Sequence, residues 1–220
     1  MTQKRLLKQL EHGRIVPVVA IDRVEWALPL ADALIAGGLP IAEVTFRTNV
    51  AAEAIRLLAS ERPELIVGAG TVLSRDQVDA AFACGACFAV SPGCKETVVQ
   101  HAQWSNMPFY PGVATPTEVG HAIDMACPIL KYFPAEALGG VAMLKAMLGP
   151  YRHTGVRFIP TGGINENNLS DYLAVPEVIA VGGTWLARKE DMMAGNWEAI
   201  TQRCRQALAL VRDTRDASVP

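Results

Sequence analysis

A lysine interrupts an apolar segment in the middle of the chain, where a charged amine is costly. Lys131 follows Ile129 and Leu130 and precedes Tyr132 and Phe133. An unpaired ammonium loses several kcal/mol when it leaves water, so either Lys131 reaches solvent or the fold requires an amine at this position. A neutral lysine amine can attack a carbonyl carbon and form a Schiff base. Lys131 is therefore the first candidate for a catalytic residue.

Three polar side chains recur at every second position of another segment, "EVTFRT". Side chains alternate between the two faces of a strand, so Glu43, Thr45 and Arg47 share one face. Schiff-base chemistry needs a group that moves protons, and Glu43 is the candidate. Arg47 is suited to holding a carboxylate or phosphate. In the alternative interpretation, Lys131 and Glu43 form a buried ion pair without catalytic function.

Two glycine pairs follow the last two apolar segments and predict a phosphate site. Backbone N–H groups approach an anion closely where no side chain intervenes, and helices that begin just afterwards would add their dipoles. We expect such helices to begin at Asn165 or Asn167–Asn168, and at Thr184. The predicted phosphate-binding residues are Thr161, Gly162 and Gly163 in the first turn and Gly182, Gly183 and Thr184 in the second.

These residues belong to a series of eight short runs rich in β-branched and aromatic residues, each separated from the next by a helical pattern. The runs cover 14–21, 41–48, 65–72, 87–93, 108–115, 129–136, 156–163 and 178–185. Parallel strands that are buried on both faces have this composition. The spacing predicts one domain over 1–220 of class α/β, a (β/α)8 TIM barrel, with an open doubly wound sheet as the alternative.

The barrel interpretation predicts where the polar residues meet. The second and sixth strands of an eight-stranded ring are opposite, so Glu43 and Lys131 would face each other across the lumen. Functional groups of such barrels lie at the carboxyl ends of the strands, and the last two loops often hold a phosphate. Thr71 of "GAGT" and Pro92 of "SPG" also follow strands, although each alone is more typical of a turn.

The two ends of the chain differ from the repeating region. An amphipathic helix over about 2–12 is expected to close the bottom of the barrel, and the polar tail over about 212–220 is expected to fray. The amino terminus lacks the apolar core of a signal peptide, and no run of about 18 apolar residues could cross a membrane. The net charge of −2 offers no basic surface for nucleic acid. These features favour the cytoplasm.

The cysteines and histidines give no pattern of a disulfide scaffold or a metal site. The five cysteines form an odd set, and Cys84–Cys87 is a C-x-x-C match that fits a helix end capped by Gly85 better than a redox pair. The four histidines, His12, His101, His121 and His153, are scattered without ligand spacing. We therefore expect no metal and no cofactor.

The chain from about Leu6 to Leu210 resembles a known family. The motifs, in the family's order, are "EVTFRT", "VGAGTVL", "AVSPG", "FYPGVATPTE", "LKYFPAEALGG", "FIPTGGI" and "VGGTWLA". They are similar to the bacterial 2-keto-3-deoxy-6-phosphogluconate (KDPG) aldolase / 2-keto-4-hydroxyglutarate (KHG) aldolase family. The resemblance implies a metal-independent class I aldolase, a homotrimer of barrels, acting on small keto acids in the Entner–Doudoroff pathway.

The resemblance also implies a role for each site residue. Lys131 would form the imine and Glu43 would carry protons through a water. The substrate-binding residues would be Arg47 and Thr71 at the pyruvate carboxylate and carbonyl, with Pro92 and Phe133 lining the pocket. The glycine turns would bind the phosphate. The implied products are pyruvate and glyceraldehyde 3-phosphate from KDPG, and pyruvate and glyoxylate from KHG.

One loop departs from the family pattern. Arg188 and Lys189 stand where many members have an apolar residue and a proline, so the resemblance does not carry over the fine shape of the phosphate-side loop or the preferred aldehyde. The alternatives are an aldolase for a related sugar acid such as the phosphogalactonate, a phosphate-binding barrel isomerase or synthase, and a metabolite-binding barrel without catalytic activity.

Overall fold

The computed structural model describes residues 3–216, and strands alternate with helices along this part of the chain. The strands are β1 Ile15–Val19, β2 Ile41–Thr45, β3 Ile66–Gly70, β4 Ala89–Val90, β5 Phe109–Tyr110, β6 Gly112–Val113, β7 Ile129–Tyr132, β8 Arg157–Pro160 and β9 Val181–Gly183. The helices are α1 Gln3–Gly13, α2 Ala27–Ala36, α3 Ala51–Glu61, α4 Arg75–Ala83, α5 Glu96–Trp104, α6 Pro116–Asp124, α7 Gly140–Leu148, α8 Leu169–Leu173, α9 Lys189–Ala194 and α10 Trp197–Asp216. Every one of the eight predicted runs contains a strand.

The strands are parallel and form a ring. One sheet has the order β5-β4-β3-β2-β1-β9 and the other the order β6-β7-β8. The bridges Phe158–Val178 and Thr161–Gly182 join the two sheets on one side. On the other side only Pro111, which has no N–H to donate, separates β5 from β6. Because β5 and β6 together occupy one strand position, the nine strands make an eight-stranded barrel. The predicted (β/α)8 barrel is confirmed.

Inward side chains divide the barrel lumen into two levels. On β2, Ile41 belongs to an apolar cluster at the amino ends of the strands, whereas Glu43 and Thr45 lie nearer the carboxyl end. The intervening Ala42 and Val44 belong to the larger cluster that includes the surrounding helices. This alternation is what the sequence pattern predicts for a strand with helices on its outer face.

Helix α1 packs against the lower level. Leu6 and Leu10 are buried in the same cluster as the first inward residues of several strands. The cluster contains Val16 of β1, Ile41 of β2, Ile66 of β3, Ile129 of β7 and Ile159 of β8, together with Phe88 just before β4 and Ile179 just before β9. The helix predicted over about 2–12 is observed over Gln3–Gly13 and covers the bottom of the barrel, while residue 2 lies outside the described part of the chain.

The carboxyl-terminal tail differs from its prediction. Helix α10 continues to Asp216, so 212–216 are helical and not the frayed segment that their polar composition suggested. Val211 is buried against the core, and the Thr214 hydroxyl donates to the Leu210 carbonyl at 2.8 Å. These contacts support the last turns of the helix. The remaining predicted tail, 217–220, lies outside the described residues.

The C-x-x-C segment has the predicted helix-end geometry. Cys84 follows α4, Gly85 adopts a left-handed conformation (φ +84°), and the Cys87 N–H donates to the Val67 carbonyl on β3. None of the five cysteines forms a disulfide in the described part of the chain. No helix within residues 3–216 has the length and apolar character that crossing a bilayer requires.

Candidate active site

Lys131 and Glu43 meet inside the upper level of the barrel. The Lys131 Nζ lies 3.3 Å from the Glu43 Oε1, and their side chains are only 7% and 5% exposed. Lys131 is held in the middle of β7, where its N–H donates to the Pro111 carbonyl at 2.8 Å. The Lys131 amine therefore does not reach solvent but points into the lumen, toward a carboxylate.

Space for the Glu43 carboxylate depends on a glycine of the neighbouring strand. A Cβ at Gly70, the last residue of β3, would lie 2.2 Å from the Glu43 Oε1. No side chain fits there unless the carboxylate moves. Sequence analysis did not identify Gly70 as a site residue, although the glycine-rich end of "IVGAG" beside the "EVTFRT" strand is the signal that could have done so.

An aromatic ring covers the lysine. The Lys131 Nζ lies 5.3 Å from the centroid of the Phe133 ring, within the range of a cation–π contact. Pro92 approaches from the next loop, and its carbonyl would be 2.1 Å from a Cβ at Gly112. The Ser91 hydroxyl fixes this turn by donating to the Gly93 carbonyl at 2.6 Å.

Arg47 lies in the turn after β2 and is oriented by Thr45, which ends the inward face of that strand. Its Nε donates to the Thr45 Oγ1 at 3.1 Å, and the Thr45 hydroxyl donates to the Val19 carbonyl at 3.2 Å. The guanidinium is at the exposed rim of the lumen, where it can hold a carboxylate. Thr45 was placed on this face by the sequence, but its role in fixing Arg47 becomes visible only in the structure.

Thr71 has a strained backbone. Its φ is +59°, a left-handed conformation that a β-branched residue rarely adopts. Such strain is concentrated at functional sites, where the surrounding structure maintains it. The Thr71 hydroxyl is thereby held at the mouth of the lumen, beside β3.

The two glycine turns require glycine for conformation and for space. Gly162 and Gly163 have φ values of +103° and +82°. A Cβ at Gly182 would lie 2.3 Å from the Thr161 Oγ1, and one at Gly183 would lie within the ring of Trp185. Gly182 is therefore packed against Thr161 of the first turn, and Gly183 is packed against the Trp185 ring.

One of the two predicted helix starts is observed and the other is wrong. The five-residue helix α8 starts at Leu169 with Asn168 as its N-cap residue, as predicted, whereas Thr184 begins no helix because α9 starts at Lys189. Trp185, Leu186 and Ala187 are buried in succession, and three consecutive residues cannot all face the core from one side of a helix. The second glycine turn is therefore not followed directly by a helix amino terminus.

Asparagine side chains stabilise the first glycine turn. The amide groups of Asn165 and Asn168 both donate to the Gly163 carbonyl, at 3.3 and 3.2 Å. The Asn168 Oδ1 accepts from the Asn165 N–H at 2.8 Å. The turn is thus held by hydrogen bonds from behind, which leaves its other face directed to the lumen.

A tyrosine–carboxylate contact lies behind the same turn. The Tyr172 hydroxyl donates to the Glu136 Oε1 in a short hydrogen bond. Burial, together with this bond to Glu136, raises the pKa of Tyr172 far above its usual value. The phenol therefore remains a donor at neutral pH and holds the Glu136 side chain against Gly163, which has no room for a Cβ there.

All twelve predicted site residues line one cavity of about 120 Å³ at the carboxyl ends of the strands. They are Glu43, Arg47, Thr71, Pro92, Lys131, Phe133, Thr161, Gly162, Gly163, Gly182, Gly183 and Thr184. Val18, Thr45 and Ile164 complete the lining and were not predicted as site residues. Across the described chain, no three His, Cys, Asp or Glu side chains group together as metal ligands would.

This arrangement defines a class of protein: a parallel (β/α)8 barrel that presents a buried lysine, beside a carboxylate, to a small polar pocket. Such an amine can form a Schiff base with a keto compound. The family whose description is "KDPG and KHG aldolase" matches residues 6–203. The chain belongs to this family of aldolases, as its motifs indicated, and it is a class I carbon–carbon lyase.

Named relatives agree with this assignment. A "2-dehydro-3-deoxy-phosphogluconate aldolase" of Treponema pallidum is 47% identical over 206 residues, which are 94% of this chain and 97% of that protein. The "KHG/KDPG aldolase" of Escherichia coli K12 is 44% identical, over 90% of this chain and 92% of that protein.

A solved structure is similar in both fold and sequence. The KDPG aldolase of Legionella pneumophila superposes with a TM-score of 0.88 at 41% identity, covering 91% of this chain and 97% of the other. It was determined with pyruvate captured at low pH as a covalent carbinolamine intermediate.

Proposed function

We propose that this protein cleaves KDPG into pyruvate and glyceraldehyde 3-phosphate through a Schiff base on Lys131. The observation that carries the proposal is the 3.3 Å contact between the Lys131 amine and the Glu43 carboxylate, both buried at the mouth of the barrel. A purely structural ion pair would not require an adjoining polar cavity, but a reacting amine does.

The first half of the reaction forms the imine. The neutral Lys131 amine attacks the keto carbon and gives a carbinolamine, which loses water to become an iminium. Pyruvate captured as a carbinolamine in the Legionella relative supports this step. Arg47 and Thr71 are assigned to the carboxylate end of the substrate, and the Phe133 ring and Pro92 to its apolar faces.

The second half breaks the carbon–carbon bond. Glu43, through a water, takes the proton of the hydroxyl on the fourth carbon. The bond between the third and fourth carbons then breaks, and its electron pair moves into the iminium to give an enamine and a free aldehyde. Glu43 returns a proton to the third carbon, and water hydrolyses the imine to release pyruvate and regenerate the amine.

The glycine turns supply the phosphate end of the site. Thr161, Gly162 and Gly163 form one turn, and Gly182, Gly183 and Thr184 form the other. Both turns line the same cavity as Lys131. Backbone N–H groups of this kind bind phosphate oxygens without a dedicated cation.

A second substrate is part of the proposal. The Escherichia coli relative is named for both KHG and KDPG, and the chemistry at Lys131 is the same for both compounds. We propose that this protein also cleaves KHG to pyruvate and glyoxylate. A homotrimer in the cytoplasm, acting in the Entner–Doudoroff pathway, completes the assignment on the basis of the family resemblance.

Steady-state kinetics test the proposed function. The purified protein is assayed with KDPG and with KHG, and pyruvate is measured with lactate dehydrogenase. We expect pyruvate from both substrates, and none above background from the Lys131→Ala variant. Turnover by Lys131→Ala at the wild-type rate, or a wild-type protein that cleaves neither compound, would contradict the proposal. Light scattering of the same sample tests the trimer.

A further inference from the structure

A second cavity adjoins the proposed active site on the side away from the lysine. It has a volume of about 490 Å³ and shares Val18, Arg47 and Thr184 with the lining of the first cavity. Lys131 and Glu43 are not part of it. Thr184 belongs to a glycine turn, so this second cavity continues from the phosphate end of the site.

The charges of this second cavity favour an anion. Its lining includes three cations, Arg47, Arg188 and Lys189, against two carboxylates, Asp22 and Glu190, which leaves an excess of one positive charge. Asp22 forms an ion pair with Lys189, because its Oδ2 lies 2.7 Å from the Lys189 Nζ. Glu190 partly offsets the remaining two cations, which lie on different loops.

Arg188 lines the second cavity and has part of its guanidinium available. Its backbone is extended (φ −71°, ψ 144°) at the residue before α9, and its Nε donates to the Trp185 carbonyl at 3.3 Å. Within residues 3–216 its two terminal nitrogens bind no other protein group, so the outer edge of the guanidinium fork is available. A guanidinium fork matches the oxygens of a phosphate in a bidentate contact.

We propose that Arg188 binds the phosphate of the aldehyde half of the substrate and sets a preference for the phosphorylated sugar acid over KHG. This inference rests on the proposed function. The aldehyde half of KDPG is longer than that of KHG and ends in the phosphate, so in this proposal the phosphate lies between the glycine turn at Thr184 and Arg188, where the two cavities meet. Arg188 is therefore a specificity residue and takes no part in the bond cleavage at Lys131.

Arg188→Ala, with Lys189→Ala as the matched control, tests the inference. For KDPG we expect Arg188→Ala to lower kcat/KM by about tenfold, the size of one charge-assisted hydrogen bond. The loss should appear as a higher KM, with kcat unchanged. For KHG we expect a change of less than about twofold. Lys189→Ala, whose amine is held by Asp22, should change neither substrate by more than about twofold, and Arg188→Lys should retain part of the KDPG preference.

Inhibition by 3-phosphoglycerate provides an independent measurement. This unreactive phosphate should inhibit the Arg188→Ala variant with a Ki about tenfold higher than for the wild type, and raised ionic strength should narrow the difference because it screens exposed charges. The Ki for unphosphorylated glycerate should be the same in both. Equal losses on KDPG and KHG, or no loss on either, would overturn the inference.

Trapping of pyruvate by borohydride separates this inference from the proposed function. Arg188→Ala should be labelled as fully as the wild type, because Arg188 does not line the cavity that contains Lys131. If labelling is intact and the KDPG preference is unchanged, the role of Arg188 is wrong while the aldolase assignment stands. If the wild type is not labelled, the aldolase assignment itself fails.

Discussion

The lower and upper levels of the barrel lumen are built on the same strands and serve different purposes. On β3, Gly68 and Gly70 both point inward, two residues apart. A Cβ at Gly68 would lie 2.3 Å from the Phe88 ring, in the apolar cluster under α1, whereas one at Gly70 would meet the Glu43 carboxylate. One face of the same strand therefore packs in the apolar core at one end and borders the candidate active site at the other.

The largest loss of activity without loss of the fold should come from a substitution of Glu43 in the upper level. We expect Glu43→Gln to lower kcat by about 10²–10⁴-fold, the usual loss when a general base is removed. The amide is similar in size and still accepts a hydrogen bond from Lys131, so the fold should persist, as circular dichroism would show. A variant that keeps wild-type kcat would remove Glu43 from the mechanism.

The two glycines of β3, Gly68 and Gly70, test the difference between the levels within one strand. Gly70→Ala should lower kcat by about 10²-fold, because it would displace the Glu43 carboxylate and a displacement of a reacting group by about 1 Å has this effect. Its melting temperature should be closer to that of the wild type than the melting temperature of Gly68→Ala. Gly68→Ala, its matched control, should instead lower the free energy of unfolding by about 1–3 kcal/mol through overpacking against Phe88. The division into two levels would be wrong if both variants lost activity and stability alike.

The smallest effect on turnover is expected at the bottom of the barrel. Leu10 of α1 is buried beneath the strands, and Leu10→Ala should cost about 2–5 kcal/mol of unfolding free energy. At a temperature where the variant remains folded, kcat should equal that of the wild type. Urea denaturation and the pyruvate assay measure the two quantities; a large fall in kcat of the folded variant would show that the levels are coupled.

Much of the fold was predictable because its local and global patterns agree. The alternation around Glu43 predicted which side chains face the lumen, and the count of apolar runs predicted a ring in which Glu43 and Lys131 are opposite. Both predictions depend only on periodicity, which a single sequence displays. The 3.3 Å contact then follows from the length of the two side chains.

Other features depend on tertiary contacts that no local pattern encodes. Gly70 leaves room for the Glu43 carboxylate of the neighbouring strand, and Thr45 links Arg47 to the Val19 carbonyl of β1. The loop after Thr184 is not helical because three successive residues are buried there, a fact about packing and not about propensity. The end of α10 was likewise predicted too early, because Val211 anchors a polar segment to the core.

The most direct test of the account is the site of covalent labelling. The protein is incubated with pyruvate and borohydride, digested, and each lysine peptide is examined by mass spectrometry. The account predicts one permanent adduct, on the peptide that contains Lys131, and none in Lys131→Ala. An adduct on another lysine, or no adduct in an enzyme that still releases pyruvate, would contradict it.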